Sequence, residues 1–159
     1  MGHMLRTGLL FLLGLPLLAF GQLGAHMNRV VEYIGKDQVV STREEMGYVA
    51  MDIKTGPKEL AMFYFKDSFA VMAGVMTTDT VTYDAAEVQE FVKYNAPTYT
   101  PHRKCSKGNT TYHQDTVHQI ELLIQYNKKS PPGIRGYALS NDAFMIGNWN
   151  RGLTAWVKE

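Results

Sequence analysis

The sequence predicts an α+β fold: an antiparallel, meandering sheet of about seven to eight strands, one helix packed across it and a short N-terminal helix. Three observations predict this class. Short apolar segments with period-two alternation are joined by turn residues, which favours antiparallel pairing. Two other segments have helical spacing. A chain of 159 residues with 45% hydrophobic content can bury one sizeable core, which indicates a single domain.

The N-terminal helix is predicted over residues 26–34. Met27, Val30 and Ile34 recur at helical spacing, so their side chains share one side of a helix. Gly35 follows directly and is a suitable helix stop. This short helix should therefore precede the first strand.

The second helix is predicted over residues 84–94. Asp84 stands three residues before Glu87, the spacing at which each side chain satisfies a free backbone N–H of the first turn. Phe91 then lies on the apolar side, and Pro97 ends the pattern. We expect this helix to lie across one face of the sheet.

The predicted strands cover residues 47–53, 59–65, 69–76, 77–83, 116–126, 136–140, 143–149 and 153–157. Asn141 and Asp142 separate two of these segments and suit a two-residue hairpin turn. Residues 95–114 have no periodicity and contain proline and glycine, so they are predicted to form a long loop. Loops of that length are often functional.

A secretory signal peptide is predicted over residues 1–21. Arg6 precedes the apolar run Leu9–Phe20, and Ala19–Gly21 supplies small residues for cleavage. The run of 12 residues is too short to span a bilayer as a helix. Residues 22–159 would then form the mature domain, with no membrane anchor. A buried N-terminal helix is the alternative.

The first residues also bear on whether this leader is native. Met1–His3 is typical of expression-vector sequence placed ahead of a native Met4. Residues 24–27 form a second such pattern. If both were vector-derived, the native domain would begin at Met27 or Asn28 and the leader would be foreign.

The charge balance excludes some partners and indicates a compartment. Removing Arg6 with the leader leaves 15 of the 16 Lys and Arg residues against 15 Asp and Glu residues. Such a chain has no basic face for nucleic acid or anionic lipid. Cys105 is the one cysteine, so no intramolecular disulfide can form. An exported domain without disulfides is expected in a bacterial periplasm, with secretion as the alternative.

Residues 101–119 hold the cysteine and three of the five histidines, so this segment is a candidate for metal binding and for thiol chemistry. His113, Asp115 and His118 do not converge on a strand or a helix, since residues five apart point in different directions. Zinc and copper need three or four converging ligands. No metal and no cofactor are therefore expected.

Thiol catalysis is the second hypothesis. Lys104 and other cations beside Cys105 would favour a thiolate, and His102, His113 or His118 is the candidate base. No sequence signature of a cysteine enzyme accompanies them. The favoured interpretation is that Cys105 is a solvent-exposed loop cysteine without a catalytic role.

Binding is the leading hypothesis, and two regions are candidates for it. Trp149, flanked by Asn148, Asn150 and Arg151, suits stacking with hydrogen bonds beside it, whereas a core position for this tryptophan is the alternative. The candidate residues of the long loop are Tyr99 and Arg103. The methionines are expected to fill core gaps, with an adaptable apolar groove as the alternative.

The sequence thus predicts an exported, non-enzymatic binding or protein-interaction domain, whose partner is another protein or a small ligand. A thiol-dependent hydrolase or transferase using Cys105 is one alternative. A structural or homo-oligomeric component is the other.

Overall fold

The computed structural model describes residues 23–57, 59–77, 82–127 and 133–159. Within these ranges the three α-helices are α1 (Met27–Ile34), α2 (Ala85–Asn95) and α3 (Ala143–Trp149). The nine strands are β1 (Val39–Glu45), β2 (Tyr48–Gly56), β3 (Glu59–Lys66), β4 (Phe69–Thr77), β5 (Arg103–Lys107), β6 (Thr110–Asp115), β7 (Ile120–Tyr126), β8 (Ile134–Ser140) and β9 (Val157–Lys158). The predicted leader lies outside the described residues, as does most of the predicted strand 77–83.

All nine strands form one antiparallel sheet in the order β1-β2-β3-β4-β8-β7-β6-β5-β9. The predicted α+β class is confirmed, including the short N-terminal helix and the helix packed on the sheet. No helix in the described part of the chain is long and apolar enough to cross a membrane.

The sheet consists of two halves with the same topology. The first half is α1 followed by the meander β1–β4, the second is α2 followed by β5–β8, and β4 pairs with β8 where they meet. In each half, a residue one or two positions before the helix bridges to the first residue of the last strand: His26 to Phe69, and Tyr83 to Ile134. The sequence shows no internal repeat, so this repetition is one of architecture.

The main core lies on the face of the sheet that α1 and α2 cover. Its strands contribute the buried residues Met51, Ile53, Ala61, Phe63, Phe65, Ala70, Ala73, Ile120, Leu122, Ile124, Ile134, Tyr137 and Leu139. Val30 of α1 packs onto this layer, and Phe91 of α2 contacts the Tyr137 ring edge-on at 4.8 Å between centroids. Each such apolar side chain contributes about 1.5–3 kcal/mol on burial.

Local side-chain hydrogen bonds begin α1 and α2. The Asp84 side chain accepts from the Glu87 N–H at 2.8 Å, and the Glu87 carboxylate accepts from the Asp84 N–H at 2.7 Å. This is the predicted capping box. In α1, the His26 ring accepts from the Asn28 N–H.

One prediction concerns the junction between the two halves. A Cβ atom at Gly136 of β8 would lie 2.9 Å from the Val75 carbonyl oxygen, which is backbone and cannot move aside easily. We expect Gly136→Ala to lower the free energy of unfolding by about 1–3 kcal/mol. Gly147→Ala in α3 is the matched control, because no atom lies within 4 Å of its Cβ position. It should be neutral or gain up to about 1 kcal/mol of helix stability. Urea denaturation of both variants checks this.

Two predicted elements were wrong in type. Residues 143–149 form α3 and not a strand, because Asp142 caps a helix by accepting from the Phe144 and Met145 N–H groups. The predicted hairpin at Asn141–Asp142 is therefore absent. The predicted loop 95–114 contains β5 and most of β6, which pair as a hairpin around Gly108 in a left-handed conformation.

Other differences concern strand limits. Strand β1 was not predicted, because it lies at the sheet edge and most of its residues are exposed. The strand predicted from residue 116 begins at Ile120, since residues 116–119 form the turn that precedes it. The last strand is the two-residue β9 and not residues 153–157. Exposed, polar strands lack the apolar alternation on which strand prediction depends.

Candidate functional site

The face of the sheet opposite α1 and α2 carries the third helix, and we call it the α3 face. Strand alternation places Tyr48, Met62, Tyr64 and Met72 there, since their neighbours along β2–β4 belong to the core. The rings of Tyr48 and Phe144 stack at 6.1 Å between centroids, so α3 lies over the first half of the sheet.

A cleft of about 230 Å³ opens between α3 and the strands of the first half. We call it the Met–aromatic cleft, after its lining: Glu45, Met46, Tyr48, Met62, Tyr64, Met72, Phe144, Met145, Asn148 and Trp149. Four methionines and four aromatic rings supply most of this surface. Methionine side chains adapt to the shape of what they contact, and thioether–aromatic contacts are favourable.

The rim of the cleft exposes apolar surface to solvent. Met46 is 74% exposed and Phe144 is 50% exposed, among the few large hydrophobic residues so exposed in the described ranges. Met46 also has a positive φ of 51° in the turn between β1 and β2, where Asn or Gly is normally preferred. Exposed apolar side chains that cluster at one cleft mark interaction surfaces.

Asp142 holds the N-terminal end of α3 against the sheet. Its carboxylate accepts from the Tyr48 hydroxyl at 2.8 Å and from two N–H groups of the first helical turn, those of Phe144 and Met145. Burial opposes ionisation of Asp142, yet the Met145 N–H, the Tyr48 hydroxyl and Lys66 outweigh it, so its pKa lies below the usual range. Burial, helped by the Asp142 charge, raises the pKa of Tyr48 to about 12.

The other polar groups of the cleft are also paired. The Tyr64 hydroxyl donates to Glu45 at 3.3 Å, and Arg43 lies 3.5 Å from the same carboxylate. Burial and the charge of Glu45 raise the pKa of Tyr64. Asn148 accepts from Arg151 at 3.2 Å. Because these groups are paired within the chain, the surface left for a ligand is chiefly apolar.

The structure divides the six predicted binding residues among different places. Trp149 and Asn148 line the Met–aromatic cleft. Arg151 is exposed beside Asn148, whereas Asn150 turns inward and donates to the buried Glu121.

The remaining two predicted binding residues lie in the second half. Arg103 lies over the Trp156 ring at 4.7 Å and lines a separate cavity of about 360 Å³ on the other side of α3. Tyr99 donates to the His113 carbonyl at 3.0 Å. Neither residue lines the Met–aromatic cleft.

The assignment of the methionines to the core was correct only in part. Met51 and Met72 are buried, at 3% and 6% exposure. Met72 lies at the cleft, which Met46, Met62 and Met145 also line. Alternation along the strands places Met51 on the opposite face of the sheet from Met62 and Met72. The sequence alone does not show this, because the faces can be matched only once the register of β2, β3 and β4 is known.

Cys105 is buried in β5 at 3% exposure, so the predicted exposed loop cysteine was wrong. Cys105 pairs with Tyr112, and its neighbour Lys104 pairs with His113. Adjacent residues of a strand point to opposite faces, which separates the thiol from the His113 ring. The thiol and the His113 ring are therefore not brought together.

The histidines instead surround two carboxylates. Asp115, fully buried, accepts from His118 Nδ1 at 2.7 Å, and His102 Nδ1 lies 3.6 Å from its other oxygen. His113 contacts Glu159. Burial opposes ionisation of Asp115, but N–H groups of His118, Thr100 and Val117 hold its pKa well below the usual range. Within the described residues, no group of three or more His, Cys, Asp or Glu side chains is placed to hold a metal ion.

Comparisons with known proteins give the fold and no family. No protein-family model matches the chain, and no curated protein matches it. Among solved structures it is similar to a cysteine-rich secretory protein from Staphylococcus aureus, at 10% identity and a TM-score of 0.50, over 84% of this chain and 49% of that one. An extracellular protein containing a SCP domain from Bacillus anthracis aligns at 14% identity and a TM-score of 0.47, over 87% of this chain and 49% of that one.

The chain spans about half the length of each of these two structures. At 10% identity, the likeness to the staphylococcal protein concerns the fold alone. Function must therefore be argued from the residues of this chain. The feature that stands out on those grounds is the Met–aromatic cleft.

Proposed function

We propose that this chain is an exported domain that binds another protein, by accepting one or two apolar side chains of that partner into the Met–aromatic cleft. The observation that carries the proposal is the exposed apolar rim of a preformed cleft, at Met46 and Phe144. A monomeric soluble domain gains nothing from leaving such side chains in water.

The size of the cleft favours a protein partner over a small ligand. Pockets for drug-sized ligands typically measure about 300–1,000 Å³. The Met–aromatic cleft, at about 230 Å³, falls below that range. It suits an anchor side chain, the element that supplies most of the energy in many protein interfaces.

The chemistry of the lining favours an apolar anchor. Methionines surround it on the sheet side, and Phe144 and Trp149 surround it on the helix side. The nearby carboxylates of Glu45 and Asp142 already accept hydrogen bonds from tyrosine hydroxyls. A polar anchor would displace those bonds, whereas an apolar one leaves them intact.

Export is supported by two independent observations. The predicted leader has the three-part form of a signal peptide. One structural neighbour is described as a secretory protein and the other as extracellular. We place the domain in a bacterial periplasm, because its one cysteine is buried and cannot supply the disulfides on which small secreted domains usually depend.

Binding is favoured over thiol catalysis by the position of Cys105. A nucleophilic cysteine needs a base within hydrogen-bond reach and access to its substrate. Cys105 is buried, and β5 and β6 place it on the opposite face from His113.

The test is selection of peptides from a displayed random library on the immobilised mature domain. We expect the selected peptides to share one large apolar residue. Phe144→Ser and Met46→Ser should each weaken their binding by roughly tenfold or more, the typical effect of losing an anchor contact. Val117→Ser is the matched control, since Val117 is 69% exposed but lies in the turn between β6 and β7. It should leave affinity unchanged.

Two outcomes would contradict the proposal. Peptides without a shared apolar residue, or peptides whose affinity is unaffected by Phe144→Ser, would place recognition elsewhere. A stable oligomer in light scattering that dissociates on Phe144→Ser would instead support the structural alternative, with a second copy of the chain occupying the cleft.

A further inference from the structure

A buried contact between a glutamate and an asparagine lies at the C-terminal end of α3, directly after the residues of this helix that line the cleft. Glu121 of β7 points to the α3 face and is fully buried. Asn150, the residue that caps the C-terminal end of α3, donates from Nδ2 to Glu121 Oε2 at 2.7 Å. This contact ties the end of α3 to the second half of the sheet.

Both groups leave one buried oxygen without a partner. Within the described residues, neither Glu121 Oε1 nor Asn150 Oδ1 has a hydrogen-bond partner. An ionised carboxylate and an amide oxygen are both acceptors, so they cannot satisfy each other. Buried unpaired acceptors are rare in native structures and each calls for an explanation. One proton on Glu121 Oε1 would satisfy both oxygens.

The surroundings of Glu121 disfavour its charge. Arg103 of β5 is a cation that acts on it, but the Arg103 side chain donates to Gln114 at 2.7 Å and lies over Trp156. Tyr112 of β6 and Cys105 of β5 face the same region, and neither side chain can supply a positive charge.

The other groups around Glu121 bring no compensating cation. Ser140, the cross-strand neighbour on β8, donates to the Val71 carbonyl. The charge of Glu121 also acts on Tyr99, which lies in the loop after α2. Burial raises the pKa of Glu121 to about 7, against the opposing effects of Asn150 and Arg103.

We propose that Glu121 carries a proton when α3 is closed, forming two hydrogen bonds with Asn150, and that loss of this proton releases the C-terminal end of α3. Oε1–H donates to Asn150 Oδ1, and Asn150 Nδ2–H donates to Oε2. Because α3 is the helix wall of the Met–aromatic cleft, the proton then regulates that cleft. The regulatory part rests on the proposed function, whereas the protonation does not.

The two ends of α3 respond to pH in opposite directions. Asp142 stays ionised through neutral pH and keeps holding the N-terminal end. Glu121 binds its proton more tightly in the folded state than a free glutamate does. Its contribution to stability is therefore fully present below the pKa of an unfolded glutamate, and it is lost as pH rises towards about 7. Release at higher pH would thus swing α3 about its Asp142 end.

The first test measures the protonation of Glu121 directly in the wild-type domain. With ¹³C-labelled glutamate, the side-chain carboxyl signal of Glu121 should titrate with a midpoint near pH 7. Glu121→Gln assigns that signal by removing it. A midpoint below about 5, the range of ordinary glutamates, would overturn the proposal.

The second test measures whether the C-terminal end of α3 changes its surroundings with pH. In a domain carrying fluorotryptophan, the ¹⁹F signal of Trp149 should move with the same midpoint. Glu121→Gln supplies a permanent N–H donor towards Asn150 Oδ1 and should make that signal independent of pH. This variant retains His102, His113 and His118, so histidine titration is controlled for. A Trp149 signal that still moves in Glu121→Gln would overturn the link to α3.

The last arm separates this proposal from the proposed function. Selected peptides should bind the wild-type domain roughly fivefold or more weakly at pH 8.5 than at pH 6, a coupling at the low end of the typical range. Glu121→Gln should bind equally at both values. If Glu121 and Trp149 titrate together but no peptide binds at either pH, the proton switch stands and the peptide cleft fails. Equal wild-type affinity at both pH values would overturn the regulation.

Discussion

Asp115→Ala is expected to lower the free energy of unfolding by about 3–5 kcal/mol at pH 7. The Asp115 carboxylate is fully buried and accepts the N–H groups of Thr100 at 2.8 Å and of Val117 and His118 at 2.9 Å. It thereby joins the loop after α2 to the turn between β6 and β7. Alanine would leave these donors without their acceptor. Urea denaturation measures the loss.

Asp115→Asn removes the charge of this side chain and keeps nearly the same shape, so it separates their contributions to stability. It should cost less than alanine at pH 7, because one amide oxygen can still accept. Since the folded-state pKa of Asp115 is lowered, its charge stabilises the fold above the pKa of an unfolded aspartate, near 4, and that contribution is lost as pH falls below this value. The difference from wild type should therefore shrink at pH 3. Asp67→Asn, at an exposed turn position, is the control. A difference independent of pH would contradict this role.

Phe65→Ala is expected to cost about 3–5 kcal/mol, because the ring is 1% exposed and lies in the centre of the core. Its ring stacks with that of Phe63 at 6.1 Å between centroids. Phe69→Ala on the next strand is the matched control. Phe69 is 49% exposed and contacts the His26 ring edge-on, so its loss should cost about 0.5–1.5 kcal/mol. Equal losses of stability in the two variants would contradict the assigned core.

The parts of the fold that the sequence predicts well are those fixed by local chemistry. The capping box of Asp84 and Glu87 marks the start of α2, and the structure contains both of its hydrogen bonds. The spacing of Met27, Val30 and Ile34 marks α1 in the same way. Short apolar strands then leave few arrangements other than an antiparallel sheet.

The parts that sequence reasoning missed depend on distant contacts. Asp142 begins α3 partly because the Tyr48 hydroxyl, 94 residues away in sequence, donates to its side chain. Without that contact, residues 143–149 read as an apolar strand. Strands β5 and β6 are largely polar, and they extend a sheet whose apolar strands lie elsewhere.

The candidate site was predicted only in part, because some of its residues meet through contacts between distant parts of the sequence. Trp149 and Asn148 follow from an unusual local cluster, and both line the cleft. Met62 and Met72 are ordinary strand residues until the register and α3 bring them together. The residues next to Glu121 in the sequence do not indicate that it is buried. It is covered by Asn150, which follows a helix that was predicted as a strand.

The cleft itself arises from a break in the repetition of the two halves. In the first half, the last strand is followed by α2, which covers the core face. In the second half, the last strand is followed by α3, which crosses to the other face and lies over residues of the first half. That crossing places α3 over Met62 of β3 and Met72 of β4, which line the cleft. The proposed function therefore depends on α3 more than on any other element.

The most direct test of this account is the spectrum of the methionine methyl groups in a ¹³C-methyl-labelled domain during titration with a selected peptide. We predict saturable shifts at Met46, Met62, Met72 and Met145, with Met51 unchanged because it lies in the core on the other face. Single-site methionine-to-leucine variants assign the signals. Saturable binding that leaves the four cleft methionines unperturbed would contradict the account.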